Sequence, residues 1–134
     1  MRVYVTDTHP LIWYSGIHHK GRRLSPRARA IFRRAEAGLD TLIIPAVVLW
    51  EISLLHNADA VRLPEPFDAW VRARLGGTIV FEPVTLEVLT AGHALRAIPD
   101  PFDRLIVGTA LACNAPLVTA DRVIIGSNSV RVVW

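Results

Sequence analysis

Cysteine is nearly absent from the 134 residues: Cys113 stands alone, so the chain can form neither an internal disulfide nor a cysteine-cluster metal site, and Cys113 reads as a core residue. Lysine is just as scarce. Lys20 is the only one, and every other member of the 15 Lys and Arg residues is an arginine, the side chain suited to two-pronged contacts with phosphate or carboxylate. No uncharged run is long enough to cross a membrane. The longest, residues 105–120, falls short of the about 18 residues a transmembrane helix needs and contains Asn114 and Pro116. Asp7 comes too early for a secretory signal, so a cytoplasmic protein is expected. Repeats, low-complexity tracts and linkers are also missing, and residues 1–134 read as one domain.

What is present is apolar. The hydrophobic fraction is 51% and the mean hydropathy +0.34, which implies a sheet covered on both faces or apolar surface awaiting a partner. A net charge of +3 and a pI of about 9.7 favour an anionic partner.

Short apolar runs alternate with helical patterns. Residues 2–6, 41–44, 78–81, 117–120 and 130–133 read as strands, rich in β-branched side chains. Between them, Thr8 is placed to cap a helix with Pro10 in its first turn, residues 15–24 form a polar loop, and Ser25-Pro26 opens a helix stopped by Gly38. Further helices are predicted over 46–57, over 67–75 ending at Gly76-Gly77, and from a Thr85 cap to about 97 with Leu86, Leu89 and His93 inward. In the last one Asp100 is the N-cap and Pro101 the first residue, and Phe102, Leu105, Ile106, Thr109, Ala110 and Cys113 share a buried face. The alternation argues for a parallel sheet between helical layers.

Four acids stand where surface acids are not expected. Asp7 and Asp121 each end a predicted strand, and in an open parallel sheet the carboxyl edge is where ligands bind. Glu51 lies in Leu49-Trp50-Glu51-Ile52, and its helical neighbours Val47, Val48, Leu54 and Leu55 are all apolar, so it points into a site rather than into solvent. Asp103 sits in the first turn of a helix starting near the same edge, whereas Asp100 is assigned to capping. Two ionised carboxylates about 5 Å apart repel by roughly 3 kcal/mol at an effective dielectric of 20, so four together require a neutralising partner. A hard divalent cation with oxygen ligands, Mg²⁺ or Mn²⁺ rather than Zn²⁺, suits a donor set without Cys or His. Thr119 can support the cluster through its hydroxyl. An acidic site of this kind suits phosphodiester hydrolysis.

Asp7-Thr8-His9, Leu49-Trp50-Glu51-Ile52, Asp100-Pro101-Phe102-Asp103-Arg104-Leu105-Ile106 and Leu117-Val118-Thr119-Ala120-Asp121 together resemble the motifs of PIN-domain proteins, in order and over essentially the whole chain. The closest resemblance is to VapC-like toxins of bacterial toxin–antitoxin pairs. It implies a three-layer α/β/α sandwich around a mostly parallel sheet of about five strands, and an endoribonuclease dependent on Mg²⁺ or Mn²⁺ that cleaves single-stranded RNA. It places metal binding and catalysis on Asp7, Glu51, Asp103 and Asp121, with Thr8, Thr119 and Arg104 in support, and implies a homodimer and a small cognate antitoxin. The chain departs from the family's pattern at Leu55 and at Ile98-Pro99, where basic residues are common, and both departures concern RNA contacts.

Other readings carry less. A phosphorylated strand-end aspartate, as in receiver domains, needs a late lysine that this chain lacks. The alternative to the nuclease is a catalytically inactive PIN-like module that binds RNA or a partner, and the presence of all four acids speaks against it. No side chain is an obvious general base, and Arg104 and Arg122 are candidates for contacting the RNA backbone, with Arg22, Arg23, Arg33 and Arg34 more distant ones. His9 either packs locally or touches substrate; His18 and His19 belong to the loop. Trp13 and Trp50 read as core or interface residues rather than base-stacking platforms.

Overall fold

Residues 1–18 and 23–134 are described by the computed structural model. Part of the loop expected over 15–24, including His19 and Arg22, lies outside them.

Five parallel strands run β1 (Val3–Thr6), β2 (Thr41–Pro45), β3 (Ile79–Glu82), β4 (Leu117–Val118) and β5 (Val132–Val133), in the spatial order β3-β2-β1-β4-β5. Tyr4, Val5 and Thr6 in β1 and Leu42, Ile43 and Ile44 in β2 are buried one after another. Successive strand residues point to opposite faces, so consecutive burial means that helices cover the sheet on both sides. The result is the expected three-layer α/β/α sandwich. The chain builds outward from β1 through β2 to β3, returns, and continues from β4 to β5 on the other side of β1. The direction of winding therefore reverses between β1 and β4, and a crevice opens beyond their carboxyl ends.

Seven helices lie among the described residues: α1 (Thr8–Ser15), α2 (Pro26–Glu36), α3 (Ala46–Asn57), α4 (Phe67–Arg74), α5 (Leu86–His93), α6 (Pro101–Ala112) and α7 (Arg122–Ser127). Ser25 caps α2, its Oγ accepting from the Ala28 N–H at 3.1 Å, and Thr85 caps α5 in the same way at 3.2 Å. Asp7, rather than Thr8, caps α1. A side-chain acceptor one residue earlier reaches the free N–H of the first turn, which leaves the Thr8 hydroxyl for another partner.

Three expectations need correction. Helix α7 was not foreseen, because Asp121 was read only as a strand end, yet its Oδ1 accepts from the Val123 and Ile124 N–H groups at 2.8 and 3.0 Å. Helix α5 stops at His93, not near residue 97. Its inward face is Val88 and Gly92, while Leu86 is 74% exposed and Leu89 also faces outward. Glycines explain that reversal: a Cβ on Gly108 of α6 would lie 2.8 Å from the Val88 carbonyl oxygen and 3.0 Å from the Gly92 nitrogen. Helices α5 and α6 meet backbone to backbone, a packing that hydrophobic periodicity does not register.

Candidate active site

Each of the four acids comes from a different element. Asp7 follows β1 and is only 6% exposed; its Oδ1 accepts from the Thr8 N–H at 2.7 Å and its Oδ2 from the Thr119 hydroxyl at 2.6 Å. Asp121 follows β4, is exposed, and donates its N–H to the Thr119 hydroxyl oxygen at 3.0 Å. Glu51, half-buried on α3, accepts from the Thr8 hydroxyl at 2.9 Å. Asp103 is half-buried in the first turn of α6. Asp100 caps that helix, accepting at Oδ1 from the Phe102 and Asp103 N–H groups at 2.8 and 3.1 Å.

The acids also act on one another electrostatically. Burial pushes the Asp103 carboxyl up to about 7, and the charges of Asp7, Asp100, Asp121 and Glu51 push in the same direction. Asp7 is raised by burial, while its bonds from Thr119 and Thr8 favour the ionised form and His9 helps; the Asp121 charge opposes ionisation. Glu51 is raised by burial, countered by the Thr8 hydroxyl and pushed further up by Asp7 and Asp100. Asp100 thus has a second effect beyond capping, since it adds to the negative field at Asp103 and Glu51. Only its position beside Asp103 hinted at that in the sequence.

Among the described residues, no three His, Cys, Asp or Glu side chains are grouped closely enough to hold a metal ion as they stand. The donor chemistry nonetheless fits a hard cation: all four candidates offer carboxylate oxygens, and their mutual field disfavours full ionisation without a positive partner.

Two other expectations fare differently. Arg104 does not face the crevice as a free cation, because its Nε donates to the Gly92 carbonyl at 3.0 Å and its Nη2 to that of His93 at 2.7 Å, which ties α6 to the end of α5. Arg122 is exposed at the start of α7. A small cavity of about 240 Å³ is lined by Asp7, Thr119 and Asp121 together with His9, Pro10 and Trp13. A larger cleft of about 1110 Å³ lies at the opposite edge of the sheet, near Arg2, Arg27 and Arg131, and contains none of the acids. Carboxylates at a topological switch point define a reactive site better than cleft size does.

The five-stranded parallel sheet between helical layers is shared with a known class of folds. The PIN domain family model matches residues 4–125, and the chain belongs to that family. It is 30% identical over 124 residues to Ribonuclease VapC22 of Mycobacterium tuberculosis, covering 91% of this chain and 89% of that protein. Among solved structures it resembles VapBC2 from Rickettsia felis bound to a promoter DNA fragment, with a TM-score of 0.68, 19% identity and 98% of both chains covered. DNA-bound VapBC from Salmonella typhimurium superposes with a TM-score of 0.66 at 17% identity, over 99% of this chain and 98% of the other.

Proposed function

We propose that this chain is the toxin of a toxin–antitoxin pair, an endoribonuclease that cleaves single-stranded RNA with Mg²⁺ or Mn²⁺ and works in the cytoplasm. The observation that supports the reading most is that burial, together with the charges of Asp7, Asp100, Asp121 and Glu51, pushes the Asp103 carboxyl up to about 7. The relative named as a ribonuclease, aligned over 91% of the chain, supports the activity. Structural similarity to VapBC complexes supports an antitoxin partner.

In this reading Asp7, Glu51, Asp103 and Asp121 hold the cation and are the catalytic acids. A divalent ion held by these carboxylates would lower the pKa of water and offset charge on the attacked phosphate. Thr119 and Thr8 are positioning residues: Thr119 orients Asp7 and the start of α7, and Thr8 bridges the Asp7 turn to Glu51. Arg104 supports the site through the α5–α6 contact that sets the direction of α6. Exposed apolar side chains such as Trp50, at 55%, and Leu54 on α3 suit a homodimer or antitoxin interface.

Purified protein incubated with single-stranded RNA tests the proposal. Cleavage with Mg²⁺ or Mn²⁺ that is abolished by Asp7→Asn is expected; undiminished cleavage by that variant removes these acids from the mechanism.

A further inference from the structure

The crevice has an aromatic wall as well as an acidic one. The cavity of about 240 Å³ is lined by Asp7, Thr119 and Asp121 together with His9, Pro10 and Trp13. The Trp13 ring is held in place by neighbours. Trp134 meets it edge-on, with ring centroids 5.9 Å apart and planes at 70°, and the exposed His9 ring lies 5.7 Å away, tilted by 47°. Trp13 and Trp134 pack against the core yet stay half-buried. A tryptophan needed only for packing has no reason to line a cavity shared with two carboxylates.

Size and chemistry narrow the occupant. The volume lies below the roughly 300–1,000 Å³ of pockets that take whole drug-sized ligands, so it suits one flat ring. None of the lining residues is Arg or Lys, so no side chain of the cavity pairs with a phosphate directly, and only a cation held by Asp7 and Asp121 would draw one to its acidic residues. Every nucleobase has a π-face that stacks on an aromatic side chain, and such stacking tolerates any sequence. A strand whose phosphate lies at the acids would place an adjacent base against this wall.

We propose that Trp13, braced by Trp134 and flanked by His9, stacks one unpaired nucleobase of the RNA next to the phosphate that is cleaved. The inference rests on the ribonuclease reading of the same site. It gives that site its preference for single strands, because a paired base is already stacked within its own helix and cannot enter. Trp13 packs against the core, in keeping with its sequence-based reading, and the proposal adds a second role to that one.

The test is a coupling experiment. Short labelled single-stranded RNAs, intact or with one base removed at each position in turn, are titrated against full-length protein in Ca²⁺ and followed by fluorescence anisotropy. Cleavage of the same RNAs is measured in Mn²⁺. For the wild type, removing the base at one position is expected to weaken binding roughly 5- to 20-fold, in the lower part of the range for base–aromatic stacking. Trp13→Leu should weaken binding of intact RNA by a similar factor and be indifferent to loss of that base, while Trp13→Phe retains most of the affinity. His9→Ala, at an exposed position, should show the same non-additivity in smaller measure, which decides the matter if Trp13→Leu fails to fold.

Effects of base removal and of Trp13 substitution that simply multiply at every position overturn the proposal, as does wild-type affinity in a folded Trp13→Leu. A cavity that instead receives an apolar side chain from a protein partner gives that negative result. Cleavage without coupling removes only this inference, whereas neither cleavage nor binding of any RNA by the wild type removes the ribonuclease reading along with it.

Discussion

The Thr119 hydroxyl donates to Asp7 Oδ2 at 2.6 Å, joining residues 112 positions apart, and accepts from the Asp121 N–H at 3.0 Å. One buried oxygen therefore joins the two strand ends, and it holds down the pKa of a carboxyl that burial pushes up.

Thr119→Val keeps the shape and removes both bonds. Leaving Asp7 Oδ2 buried without that partner is expected to destabilise the fold by about 1–3 kcal/mol. It also raises the Asp7 pKa further, so cleavage that needs ionised Asp7 should fall off at higher pH than in the wild type. Thr119→Ser should restore both properties. Denaturant titration and a pH–rate profile read the two effects separately, and an acid limb that stays put would break the link between Thr119 and catalysis.

Asp103 predicts a trade-off between stability and activity. A carboxyl whose folded pKa of about 7 lies above the 3.8 of a free aspartate takes up a proton on folding between those pH values. It therefore favours the fold at low pH and costs stability as pH rises between those values. In metal-free buffer Asp103→Asn should be more stable than wild type at pH 8 and no more stable at pH 4, while losing cleavage. Solvent screening of this half-buried group limits the gain to about 1 kcal/mol, or roughly 3–6 °C in Tm. Equal Tm differences at the two pH values would contradict the assigned cause.

Sequence patterns pointed to the candidate acids and to the fold class more readily than to the details of the helices. Asp7, Glu51, Asp103 and Asp121 could be singled out because acids among apolar residues or at strand ends contradict their local surroundings, and such contradictions survive in one dimension. The cap of α2 and the bounds of α3 were equally visible, in Ser25-Pro26 and in the Pro45 boundary. The exposed Leu86 and Leu89 were not, because the buried side of α5 is set by how closely Gly92 and Gly108 let two backbones approach. The bond between Thr8 and Glu51 and the Trp13–Trp134 contact were hidden for a simpler reason: each joins distant segments that only the folded sheet brings together.

Gly108→Ala tests that backbone contact. The added methyl would meet the Val88 carbonyl oxygen at 2.8 Å and the Gly92 nitrogen at 3.0 Å, and neither is a flexible side chain that can turn away. A loss of about 1–3 kcal/mol is expected from the forced separation of α5 and α6. Since α6 carries Asp103 in its first turn, cleavage should fall along with stability. Gly126→Ala is the control, because its Cβ would enter open space and should leave Tm and cleavage unchanged or slightly raise stability. Equal behaviour of the two variants in thermal melts would show that the close approach does not matter.

Divalent ions should oppose the repulsion among the acids, and this can be read without any cleavage assay. A ligand that binds only the folded state stabilises it by about 2.7 kcal/mol at a concentration 100 times its Kd. Mn²⁺ or Mg²⁺ is therefore expected to raise Tm, and EDTA to reverse the rise. Binding requires ionised carboxylates, and the Asp103 carboxyl loses its proton at about 7, so the rise should be larger at pH 8 than at pH 5. Asp7→Asn and Asp103→Asn should each reduce it, because each removes one negative charge and one ionisable oxygen donor set. Thr119→Ser should preserve it, because the hydroxyl that orients Asp7 is kept. A Tm that ignores divalent ions at both pH values, together with cleavage that continues in EDTA, would exclude the metal and assign the Asp103 carboxyl, raised to about 7, to general acid chemistry instead.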